Sequence, residues 1–237
     1  MNADVHGQTW PATATTQSSV LASDWLLFTL VGSAVALLVW GLILFALARW
    51  RRPGLSRSDP STSAGEERAT NAEDWPPQFR NNNALEIAWT VVPLILVIGL
   101  FAYTYRAEAD VEALVPKPDV TVVVNAYRWG WTFAYEGGRT INGAAQKPPQ
   151  MVIPLGETTR IVLTSSDVNH AFWVPDFLFK RDAIPGRTTS FDLRPSKLGT
   201  FLGRCAEFCG LDHALMSFSV RVVPPDEYAR WRRGAPT

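Results

Sequence analysis

The chain has 237 residues, 22 Lys and Arg against 22 Asp and Glu, and a hydrophobic fraction of 47%. Balanced charge excludes a general electrostatic pull toward nucleic acid or an acidic polymer, and the length admits one or two domains. The apolar residues collect in two long uncharged runs, which is the pattern of a membrane protein.

Residues 1–24 read as a polar tail outside the membrane. The run 25-WLLFTLVGSAVALLVWGLILFALA-48 holds 24 residues without a charge; as a helix it spans about 36 Å, enough to cross a bilayer. It has no basic stretch ahead of it and exceeds an ordinary signal-peptide core, so it is expected to stay in the mature chain. A connector over 49–84 follows, rich in Ser, Pro, Asn and charge and without apolar period, which predicts a solvated loop. The second span is placed at 85–106. Its core, 87-IAWTVVPLILVIGLFAYTY-105, is 19 uncharged residues between Glu86 and Arg106, with Pro93 expected to kink it. A buried soluble helix is the alternative for so short a run, and the longer run upstream argues against it.

Arginines set the orientation. Residues 1–24 contain no Lys or Arg, whereas the connector carries Arg49, Arg51, Arg52, Arg57, Arg68 and Arg80. The connector is therefore predicted to be cytoplasmic, and the N-terminus and everything after Arg106 to lie outside.

Beyond the second span, residues 107–237 change to short segments rich in Val, Thr, Phe and Tyr, such as 119-DVTVVVNAYRW-129, 150-QMVIPLGETTRIVLTSS-166, 186-GRTTSFDLRP-195 and 216-MSFSVRVV-223. With Gly and Pro turns between them they predict an all-β sandwich or barrel outside the membrane, closed by a helical turn or two in 225–237. In 127-YRWGWTFAY-135, strict alternation would put Tyr127, Trp129, Trp131, Phe133 and Tyr135 on one face. One barrel face hides so many rings with difficulty, so at least one near the strand end is expected to be exposed or covered by a partner.

Both cysteines fall in 205-CAEFCGLDHALM-216. A disulfide is the plain reading in an oxidising compartment, but a bridge between positions four apart closes a tiny loop and constrains little. Nor does it account for His213 and Met216 close behind. Thiolate, thioether and imidazole together select copper, and such a cluster between the last two strands of a barrel is the blue-copper arrangement. It needs a second histidine from upstream, which His170 supplies; His6, in the polar tail, is assigned no role. The second thiolate suggests two copper ions bridged by both sulfurs, each with one histidine and one weak ligand, Met216 for one and the Glu207 carbonyl for the other.

The pattern Cys205, Glu207, Cys209, Gly210, His213, Met216 resembles the binuclear CuA centre of cytochrome c oxidase subunit II. The likeness extends through 170-HAFWVPDFLFKRDAIPGR-187, 127-YRWGWTFAY-135 and 85-LEIAWTVVP-93, and covers roughly residues 25–223. It implies a two-helix transmembrane hairpin followed by an all-β cupredoxin-like Greek-key barrel, docked on oxidase subunit I. Electrons would pass from a separate cytochrome c through CuA to the hemes, where oxygen is reduced to water with proton pumping. A separate donor is implied because the C-x-x-C-H of fused-heme branches is missing, and the copper ligands that quinol-oxidase branches lack are present. A membrane-tethered copper carrier or storage protein is the alternative. The resemblance further implies that Trp129 receives electrons, that Glu86 stands at the entrance of a proton path, and that the Glu207 carboxylate contributes to a Mg²⁺ site facing subunit I. From Ala107 onward there are 15 basic and 14 acidic residues, so the outer domain lacks a strong acidic excess to steer a basic donor. Glu136, Asp167, Asp176 and Asp212 are candidates for a local acidic patch.

Overall fold

The computed structural model describes residues 13–50 and 81–234. His6 and the connector from 51 to 80, with Arg51, Arg52, Arg57, Arg68 and Arg80, lie outside the described residues. Two compact units emerge: Leu26–Tyr103, and an outer unit formed by the chain up to Trp25 together with Thr104 onward.

Leu26–Tyr103 holds most of two helices, α1 (Thr16–Arg49) and α2 (Asn83–Glu112), both long and apolar enough to cross a membrane. Their apolar side chains, such as Leu37, Trp40, Ile95 and Phe101, stand exposed, as lipid-facing residues do. α2 continues through Pro93.

α1 begins at Thr16, well before the apolar run at Trp25. The reason is local and polar. Ser18 N donates to Thr15 Oγ1 and Thr15 N donates to Ser18 Oγ, each at 3.0 Å, a reciprocal cap that satisfies donors a helix start leaves open. Ala14, Thr15 and Ser18 are buried against the β domain, so the last part of the expected free tail is a strap on that domain.

Ten strands make the outer unit: β1 (Val120–Tyr127), β2 (Gly130–Tyr135), β3 (Thr140–Ala144), β4 (Gln150–Pro154), β5 (Thr159–Ser165), β6 (His170–Val174), β7 (Phe179–Ala183), β8 (Thr189–Leu193), β9 (Gly199–Cys205) and β10 (Ser217–Val223). One sheet runs β3-β2-β1-β5-β8 and the other β4-β10-β9-β6-β7, with β1 parallel to β5 and β4 parallel to β10. This is the cupredoxin-like, two-sheet form of a Greek-key barrel. A short helix α3 (Pro225–Arg232) closes it, burying Tyr228 and Trp231 on one face.

Aromatic rings fill the space between the sheets. Phe172 of β6 stacks on Phe218 of β10 at 4.7 Å, and Trp131 of β2 meets Phe218 edge-on at 5.1 Å. The fit leaves no slack, since a Cβ on Gly203 would stand 2.1 Å from the Phe218 ring.

Period two does not run unbroken from Tyr127 to Tyr135. Arg128 and Trp129 form the turn of the β1–β2 hairpin, with Tyr127 opposite Gly130. Trp131, Phe133 and Tyr135 are buried, whereas Trp129 is only half-buried because the turn carries it out of the pleat.

Candidate metal centre

The ends of two strands and the loop between β9 and β10 supply the site. His170 is the first residue of β6, Cys205 is the last of β9, and Glu207 to Met216 lie in the β9–β10 loop with a 3-10 turn over His213–Leu215. Strand pairing of β6 with β9, which sets Phe172 opposite Cys205, brings His170 to the cysteines from 35 positions away.

The two cysteines are free and buried, with Sγ atoms 3.8 Å apart, about twice a disulfide bond length. Cys205 Sγ lies 3.8 Å from His170 Nδ1 and 3.3 Å from the Glu207 carbonyl oxygen. Cys209 Sγ lies 3.5 Å from His213 Nδ1 and 3.7 Å from Met216 Sδ. All six donors named from the sequence therefore converge, divided evenly between the two sulfurs.

Electrostatics separate the thiols. Burial raises the Cys205 pKa, but contacts with His170, the backbone at Ala171 and Glu207, and His213 outweigh it and bring the thiol down to about 6. Burial and the neighbouring Cys205 charge push Cys209 up to about 12. The two thiols thus differ in acidity, and a soft cation held between the sulfurs would stabilise both thiolates. A set of two thiolates, two imidazoles, a thioether and a carbonyl fits copper, with hard carboxylates kept out of the cluster.

One participant was visible in the sequence only as an acidic residue. Asp167 Oδ1 lies 2.9 Å from His170 Nε2, which leaves Nδ1 facing Cys205. An outer carboxylate that fixes the tautomer of a ligating histidine is common at metal sites. The same carboxylate accepts Arg128 N at 2.8 Å and Arg128 Nε at 3.3 Å. Burial alone would raise the Asp167 pKa, but these bonds, His170 first, hold it at about 2. Burial likewise disfavours charged His170, while Cys205 and Asp167 outweigh it and raise its pKa. The D-x-x-H spacing of 167–170 was the available signal.

Trp129 closes the site from the β1–β2 turn. Its Nε1–H donates to the Cys209 carbonyl at 3.1 Å. Gly210 lies against the same indole, with φ +115° and space for a Cβ only 3.2 Å from the ring, so both conformation and contact call for glycine.

Glu86 is exposed in the first turn of α2. The Glu207 side chain is exposed while its carbonyl faces Cys205. The four acidic candidates do not form one patch. Asp167 is tied to His170 and Arg128 beside the start of β2, and Glu136 follows the end of that six-residue strand, about 20 Å away.

Comparison with known proteins agrees with this geometry. Residues 144–223 match the family model described as cytochrome c oxidase subunit II, periplasmic domain. A probable cytochrome c oxidase subunit 2 of Streptomyces avermitilis is 37% identical, covering 92% of this chain and 76% of the relative. The cytochrome c oxidase subunit 2 of Corynebacterium glutamicum is 31% identical, covering 94% and 74%. A crystal structure of the periplasmic domain of subunit II of cytochrome oxidase from Bradyrhizobium japonicum is 38% identical over 52% of this chain and 96% of that one, with a TM-score of 0.46. The matched family region includes the strand ends and the loop that hold the donors, and the likeness to full-length relatives runs through the helices as well: the chain belongs to the cytochrome c oxidase subunit II family.

Proposed function

We propose that this protein is the electron-receiving subunit of a proton-translocating heme-copper cytochrome c oxidase. It accepts electrons from a separate cytochrome c at a binuclear copper centre and passes them to the hemes of subunit I, which reduces oxygen to water. The observation that carries the reading is the pair of buried free thiols 3.8 Å apart, each with its own histidine Nδ1 within 3.8 Å. His170, Cys205, Cys209, His213, Met216 and the Glu207 carbonyl would hold two copper ions. Bound there, such a metal pair would supply one-electron transfer.

The chain's own residues do the positioning. The ends of β6 and β9 hold His170 and Cys205, so these two donors would be kept in place on either side of the metal. Asp167 keeps His170 in the tautomer that offers Nδ1. Trp129 spans from the half-exposed hairpin turn to the Cys209 carbonyl, and so offers a π system between a docked donor and the ligand loop.

The membrane arrangement follows the arginines: N-terminus and copper domain outside, connector in the cytoplasm, in a bacterial plasma membrane. Glu86 then stands on the cytoplasmic side at the mouth of a proton path into subunit I. Its exposure suits a group that exchanges protons with water. Turnover of the Glu86→Ala oxidase is expected to fall with copper spectra intact; unchanged turnover would return Glu86 to a membrane-boundary role.

Metal analysis and electron paramagnetic resonance of the purified oxidase test the central reading. The expected result is two coppers per subunit II and an unpaired electron shared between them. A single copper, or Cu(I) alone, would make the chain a membrane-tethered copper carrier or storage protein instead. The same analysis on Glu207→Gln reads the Mg²⁺ proposal: bound Mg²⁺ or substituted Mn²⁺ should fall while copper stays, because the exposed carboxylate offers the hard oxygens that ion prefers and the copper donor is the carbonyl. Unchanged Mg²⁺ or Mn²⁺ would remove that assignment.

A further inference from the structure

Away from the ligand loops, Asp192, on the edge strand β8, accepts three hydrogen bonds. The residue is 3% exposed. Arg160, its register partner on β5, donates Nε to Oδ1 and Nη2 to Oδ2, both at 2.8 Å. The Val115 N–H also donates to Oδ2 at 2.8 Å, and Arg160 Nη2 reaches the Val115 carbonyl at 2.5 Å.

A cross-strand ion pair has no need of burial, since an exposed pair keeps its hydration and a buried one loses it. This carboxylate is covered, and it spends a bond on the backbone of a segment with no regular structure between α2 and β1. Such a segment ordinarily runs solvated over the surface. Here the pair grips both backbone polar groups of one residue, Val115, just past the end of α2, and beside it Glu112, the last residue of α2, pairs with Arg181 of β7.

The other covalent connection lands a few positions further along the same edge. Thr16 N donates to the Arg194 carbonyl at 2.9 Å, Ser196 N donates to the Ala14 carbonyl at 2.9 Å, and Thr15 bridges Pro195. Arg194 N donates to Gln17 Oε1 at 3.2 Å. The strap thus pairs with backbone that an edge strand would leave open. The chain entering α1 and the chain leaving α2 are both fastened to residues 192–196, all within the outer unit.

We propose that Asp192, acting with Arg160, is a positioning residue for electron delivery. By holding Val115 on the edge that also receives the N-terminal strap, it ties the chain leaving α2 to the copper domain. This role rests on the proposed oxidase function. The measurement separates it from a stability role, because removing one partner of a covered pair destabilises in its own right, whereas a small misplacement of a reacting group costs rate while the fold persists.

The test uses the intact oxidase carrying Asp192→Asn. Copper content and absorption should match wild type, and KM for cytochrome c should be unchanged. Hydrogen exchange over residues 113–118 should accelerate by about 10-fold or more, and kcat should fall by about 10-fold or more. Wild-type exchange would show that Asp192 does not hold the segment, and faster exchange with wild-type kcat would show that the hold does not position anything. If Asp192→Asn fails to assemble, Val115→Pro decides. It removes the N–H donor and fixes φ at that residue while leaving both charges of the ion pair in place, with the same two outcomes read. Should the wild-type oxidase lack its copper pair, the functional reading fails, while the exchange measurement still reports on the clamp.

Discussion

Cys209→Ser is expected to abolish the binuclear copper signal and to lower turnover by more than about 100-fold, beyond the 10–100-fold typical of losing an outer-shell partner. Cys209 is the hub of the donor set, with its sulfur within 3.8 Å of Cys205 Sγ, His213 Nδ1 and Met216 Sδ. A serine hydroxyl is a harder donor that does not ionise near neutral pH, so it cannot replace a bridging thiolate. The fold should persist, because the aromatic contacts that join the sheets lie on β2, β6 and β10 and not in the loop. Circular dichroism should therefore match wild type while copper falls to one ion per chain or fewer. Two coppers with normal turnover in this variant would overturn the ligand assignment.

Trp129→Phe separates electron transfer from assembly. Phenylalanine keeps a ring in the hairpin turn but loses the N–H that bonds the Cys209 carbonyl, and with it the direct contact to the ligand loop. Copper spectra and cytochrome c affinity should remain close to wild type. The rate of electron transfer from cytochrome c should drop by about 100-fold, the scale on which misplacing a reacting group acts. Stopped-flow mixing with reduced cytochrome c measures that rate directly. Loss of copper or poor folding would mean that Trp129 is a packing residue like Trp131, and an undiminished rate would mean that electrons take another route.

How much of this was legible in the chain varies by element. The two spans stand out because a bilayer demands long uncharged runs, a requirement that composition alone reveals. The start of α1 at Thr16 does not, because it depends on a Thr–Ser cap and on pairing with residues 194–196, and polar residues carry no hydropathy signal. Strands β1, β5, β8 and β10 announce themselves by β-branched and aromatic runs. β7 and β9 carry Gly, Lys, Arg and Asp among few such residues, and pairing in the second sheet is what makes them strands.

For the site, the type of each donor and the spacing of Cys205, Cys209, His213 and Met216 were determined by the sequence itself. Soft ligands clustered in one loop have few other uses, and local spacing already puts them within reach of one another. Only tertiary structure decided what joins them. Pairing of β6 with β9 brings in His170, the β1–β2 turn lifts Trp129 out of the core and onto the Cys209 carbonyl, and Asp167 turns inward to His170 and Arg128 rather than outward to a donor. The same holds for Asp192, an ordinary acidic residue in the sequence that the fold buries beneath the backbone of Val115. The physical reason is common to all four. Each depends on contacts between residues far apart in the chain, whose geometry is set by how two sheets pair and pack and not by any pattern within one segment.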